Sequence, residues 1–248
     1  MENQEKPKFQ IPTESVDLPS KGKLYPSDHP LASGKVEMKY MTAKEEDILT
    51  NQNYITKGIV IDKLLQSLLV TKFNYNDLLI GDKNAIMVAA RILSYGKDYD
   101  IQYKGEQITV DLSEIKEKEV DAVPNEQGEY TFTLPKSGNE VTFKLLTHGD
   151  DKTIDREIEG LKKINKDNDT SMSTRLKHII TSINGDRATS SVRQFVDQGL
   201  LAQDARALRE EYSRVQPDVE FKVYHVGEDG VGEDIDVPVT VNFFWPDA

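Results

Sequence analysis

Four histidines, at positions 29, 148, 178 and 225, are the first side chains of this 248-residue chain to test for chemistry. No His-x-x-x-His and no Glu-x-x-His pair occurs, so the spacing that sets two metal ligands on one helix face is missing. His148 stands at a strand–helix turn beside Asp150 and Asp151, whose adjacency reads as acids at a helix N-terminus. His178 falls inside an amphipathic helix as a surface or interface residue, His29 in a proline-rich stretch and His225 in a strand. There is no cysteine, which excludes disulfides, thiolate nucleophiles and thiolate zinc sites, and fits a reducing compartment. The glycine-rich "GEDGVG" at 227–232 is acidic and would repel phosphate, so it reads as a hairpin loop. "DND" at 167–169 lacks the glycine and distal glutamate of a calcium loop, and no Gly-x-Ser-x-Gly is present. The expectation is a protein without enzymatic activity: no catalytic residue, no cofactor and no metal.

The charge balance points the same way. The net charge is −12, and the short basic runs "LKK" at 161–163 and "RLK" at 175–177 make no cationic face for a phosphate backbone. No nucleic-acid partner is expected. The longest apolar run, "IVIDKLLQSLLV" at 59–70, is short and broken by charge, so no membrane insertion is expected. The first 30 residues lack the apolar segment of a signal peptide. Hydrophobic residues make up 37% and charged residues 30%, polar for a single globule, which implies an elongated chain or one that completes its burial on partners.

The elements that must position these residues are legible from period and caps. Residues 1–33 form a proline-rich N-terminal arm, with a turn at Gly22 in "LPSKGKLYP" and Leu18, Leu24 and Tyr25 available to dock. That arm either straps its own domain or reaches a neighbouring subunit. Residues 34–98 combine a strand at 35–41 with three helices: one capped by Thr42 and Glu45, one at 59–70, and one opening after Asp82 as N-cap and closing at Gly96. Residues 99–147 alternate as an antiparallel β segment around the loop "SEIKEKEVDAVPNEQG". Residues 148–216 form a helical region of four helices, the second running through "MSTRLKHIITSI" to Asn184-Gly185 and the third ending at Gly199. Residues 217–248 form a C-terminal β-hairpin with strands at 218–226 and 235–244. The fold class is α+β, mostly helical, with an antiparallel sheet segment and a C-terminal β-hairpin.

Two features stand out. "SGKVEMKYMTAKEEDI" (33–48) and "SGNEVTFKLLTHGDDKTI" (137–154) share the order Ser-Gly, strand, Thr, two residues, acid pair, helix. Duplication and chance reuse of one capping chemistry both explain it. The second is Phe243-Phe244-Trp245, the last carrying the only tryptophan, on a tail that ordinarily frays. Period two would put Phe243 and Trp245 on one strand face and Phe244 on the other, so that one face packs on the helical body, the favoured reading, while the other meets a partner, unless the chain turns at Pro246. Leu18, Leu24, Tyr25, Phe243, Phe244 and Trp245 are the candidate partner-binding residues.

"LPSKGKLYP", "MTAKEEDILTN" and "GDKNAIM", within a stretch from about 17 to 100, strongly resemble the T-even-type bacteriophage baseplate hub and hub-assembly family. "ITSINGD" and the terminal "FFWP" add a second part to the resemblance. It implies a non-enzymatic tail protein, a hub subunit or an assembly factor, whose partners are other tail and baseplate proteins in an oligomer or hetero-complex. It would act in the host cytoplasm during assembly and, as a subunit, in the virion tail baseplate. A tail-assembly chaperone absent from the mature virion is the alternative, and a nucleic-acid or nucleotide-binding enzyme the remote one. The family pattern includes a Cys-x-x-Cys-like knuckle in the C-terminal hairpin. Here the stretch is "VYHVGEDGVG", where His225 alone cannot hold zinc.

Overall fold

A computed structural model of the chain describes residues 11–164, 169–227, 230–239 and 243–245. The start of the arm, most of "DND", residues 228–229 of the acidic loop, 240–242 of the expected second hairpin strand and Pro246 lie outside the described residues. In chain order come β1 (Thr13–Asp17), β2 (Lys35–Lys39), α1 (Ala43–Leu49), α2 (Gln52–Thr56), α3 (Val60–Leu68) and α4 (Ile80–Tyr95). Next are β3 (Asp98–Tyr103), β4 (Glu106–Asp111), β5 (Lys116–Glu117), β6 (Glu129–Thr133) and β7 (Glu140–Lys144). There follow α5 (His148–Ile164), α6 (Ser171–Ile179), β8 (Ile180–Ile183), α7 (Thr189–Gln194) and α8 (Ala202–Val215). The chain ends with β9 (Val219–Glu220), β10 (Lys222–Val226) and β11 (Gly232–Asp236).

The expectation of a mostly helical chain is corrected. Helix takes 44% and strand 24%, and the strands make five small antiparallel sheets among the described residues, so the class is mixed α+β. Two of the strands, β5 and β8, of two and four residues, are too short for a period of two to stand out in sequence. The clearest case is "IITSI". Helix α6 stops at Ile179 and the chain continues directly as β8, pairing Val141 with Ile183 and Thr142 with Ser182. Its β-branched residues suit an extended backbone. Asn184-Gly185 is then a hairpin turn with φ of 48° and 82°, closed by the Ile183–Asp186 bridge, rather than a helix end.

The chain divides into two compact units. The first holds residues 1–73, 84–117 and 219–248. The described part of the arm contains β1, antiparallel to β2, and its Leu18 and Leu31 are wholly buried. It straps its own unit. Gly22 suits its position on two counts: its φ of 75° is left-handed, and a Cβ there would lie 2.3 Å from the Ala32 carbonyl oxygen. Val36 and Met38 on β2 and the α3 stripe of Leu64, Leu65 and Leu68 are all buried, and Met38 bridges to Leu69 just beyond α3. Helix α4 opens at Ile80, two residues before the expected Asp82 cap, and Asp82 is buried in its first turn.

The second unit holds residues 74–83 and 118–218. Its sheet runs β6-β7-β8. Phe143 on β7 packs between Tyr130 of β6 and Tyr212 of α8, with ring centres 5.5 and 6.2 Å apart. Helix α7 passes into a π turn, Phe195–Gly199, before α8.

Candidate interaction surfaces

The six residues singled out in sequence have different fates. Leu18, Phe243 and Phe244 are buried in the first unit and offer no surface in this conformation. Leu24, Tyr25 and Trp245 are half-buried. Tyr25 stacks on His29 at 5.2 Å, and His29 tilts on Phe73 at 6.3 Å, so the turn of the arm ends in an aromatic group on its own unit. The expected alternation of Phe243 and Phe244 fails. Pro238 has no N–H to give a ladder, the hairpin ends at Asp236, and residues 243–244 form a turn that buries both rings. Phe243 meets Tyr99 edge-on at 5.3 Å and Phe244 at 5.3 Å, while the Tyr99 hydroxyl donates to the Pro238 carbonyl at 3.1 Å.

Apolar side chains do reach solvent elsewhere. On the hairpin, Val223 and Ile235 face the core, whereas Tyr224 and Val226 on the opposite face are 63% and 56% exposed. Val231 beside them is 63% exposed. In the second unit Met172 of α6 is 59% exposed, at the mouth of a cleft of about 190 Å³ lined by α6 and α8.

The buried charges hold the backbone in place. Glu45 accepts from the Thr42 N–H at 3.1 Å and hydroxyl at 2.6 Å, from Ser67 at 2.9 Å and from Lys39 at 2.7 Å. Burial pushes its carboxyl up, but these donors outweigh that and hold it at about 2. The echoed segment repeats the device. Asp150 accepts from the Thr147 N–H at 3.1 Å and from Lys144 at 2.7 Å. A strand lysine three residues before the threonine completes both capping sites, a position the sequence comparison overlooked.

Other clusters also carried no local sequence signal. Asp204, buried on α8, accepts from the N–H groups of Lys136 and Ser137 at 2.7 and 3.0 Å, pinning the β6–β7 turn. Burial raises its carboxyl and those bonds, in sum stronger, lower it. Glu157 of α5 takes both guanidinium nitrogens of Arg193 at 2.7 and 2.9 Å and meets His178 at 2.8 Å. Arg193 foremost holds it at about 2, against burial and with help from His178. Arg91, buried and lowered by that burial, donates to the carbonyls of Gly96 and Asp98 at the end of α4. The four histidines join such contacts: His148 lies edge-on to Tyr75 at 4.7 Å, and His225 to Tyr103 at 6.4 Å. Among the described residues no three His, Asp or Glu side chains gather as metal ligands, and no helix is long and apolar enough to cross a membrane.

A family model described as T4 bacteriophage base plate protein matches residues 11–223. The chain belongs to the T4 bacteriophage base plate protein family. The base plate match takes in the whole second unit and, in the first, the arm from residue 11 and the Thr42 capping site, and it ends inside β10. Leu18, Leu24 and Tyr25 fall within the matched span; Phe243, Phe244 and Trp245 lie beyond it. Neither the curated proteins nor the solved structures contain a match.

Proposed function

We propose that this chain is a baseplate hub protein, a structural subunit or an assembly factor, that works without catalysis by contact with other tail and baseplate proteins. The family match over 11–223 carries the reading. Two features of the molecule support it. The buried carboxylates described above serve the backbone and its caps, and apolar side chains face solvent on ordered strands and helices. The net charge of −12 disfavours a nucleic-acid partner. The test has two parts. Affinity capture of the tagged full chain during phage growth is expected to retain baseplate proteins, and capture of none would end the reading. Mass spectrometry of purified virions then separates the roles: a subunit appears at defined copy number, whereas an assembly factor or chaperone is absent.

A further inference from the structure

The cleft between α6 and α8 has a specific chemistry. Its walls are Leu176, Ile179, Leu208 and the ring of Tyr212, whose hydroxyl is occupied in accepting from the Leu146 N–H at 3.0 Å. At about 190 Å³ it exceeds the ~150 Å³ aliphatic cavity that admits benzene, so one aromatic or branched aliphatic side chain fits. Met172 at the mouth supplies a flexible thioether that moulds to an incoming group. Arg175 and Arg209 also stand at the rim. Arg175 donates to Asp151 at 2.7 Å; Arg209 meets the Met172 sulfur at 3.2 Å and has no carboxylate partner among the described residues. With Arg175 paired to Asp151, Arg209 is, among the described residues, the cation left uncompensated at the cleft, and on a chain of net charge −12 it favours an acidic neighbour of whatever fills the hole.

We propose that this cleft binds a segment of another baseplate protein in which a Phe- or Leu-sized side chain is flanked by Asp or Glu. The inference rests on the contact-mediating role proposed above and names the chemistry of one partner. Fluorescence anisotropy on the full chain tests it, with a labelled peptide bearing a Glu-Asp-Phe-Glu core and a control in which Lys replaces each acid. The acidic peptide is expected to bind about tenfold tighter or better, the preference to shrink as salt rises, and Arg209→Glu to lose about tenfold with an unchanged melting temperature. Binding of neither peptide, equal binding of both, or full binding by Arg209→Glu overturns the proposal. So does a dimer of the full chain in sedimentation that Arg209→Glu abolishes, which would assign the cleft to a second copy. Affinity capture of baseplate proteins by the wild-type chain, run alongside, separates the two failures. If capture persists while the peptide arm fails, only the cleft assignment falls; if capture also fails, the functional reading falls with it.

Discussion

Glu45 shows how one side chain can decide a local structure. Its carboxylate is fully buried yet satisfied by the threonine of its own cap, by Ser67 on α3 and by Lys39 on β2. Glu45→Ala strands those donors and the lysine charge, and is expected to cost about 2–4 kcal/mol, read as a lower urea midpoint at unchanged slope. Glu45 and Glu157 also set a pH window. Both titrate near 2 when folded against 4.5 ordinarily, so the unfolded chain binds their protons first. Their stabilisation is complete above about pH 4.5 and lost as pH falls towards 2. Arg193→Ala is expected to flatten that acid limb in a melting-temperature series from pH 5 to 2. The Thr42-x-x-Glu45 pairing was readable because its partners lie three residues apart; Asp204 was not, because the N–H groups it holds are far away in the chain.

At the scale of elements, the tail and the arm are integral to one core. Phe243→Ala removes a fully buried ring that touches Tyr99 and is expected to cost about 3–5 kcal/mol; thermal unfolding with no shift would show that the turn does not pack. Trp245→Ala, at a half-buried position, should cost less, and limited proteolysis of the C-terminal hairpin reads the difference. Gly22→Ala forces a Cβ into the Ala32 carbonyl and is expected to lower the melting temperature by several degrees, since about 1 kcal/mol already shifts a domain this size by roughly 2–4 °C. Elements with a strong period were legible: the α3 stripe, the alternating β2 and the Gly96 terminus of α4. The "ITSI" strand was not, because four residues directly after a helix continue its apolar pattern, and only pairing with β7 selects the extended form.

The whole molecule has two units, and neither is a continuous piece of chain: three segments build the first and two the second. Helix α4 runs without a break across the boundary at residues 83 and 84. The only tryptophan, Trp245, belongs to the first unit and reports on it alone. Because α4 belongs to both units, tryptophan emission and far-UV circular dichroism are expected to give coincident denaturation curves. Separated midpoints would show units that melt independently.

The amino-acid sequence determined what depends on neighbours along the chain: the caps at Thr42 and Thr147, the turn at Gly22, the amphipathic stripe of α3, the acidic charge and the motifs of the base plate family. Only the tertiary structure decided which apolar groups face water. Phe243, Phe244 and Leu18, conspicuous in sequence, are buried, while Tyr224, Val226 and Met172, inconspicuous there, are exposed. Hydrophobicity belongs to a residue by itself, but its burial depends on partners that folding brings from distant positions, as Tyr99 is brought to Phe243.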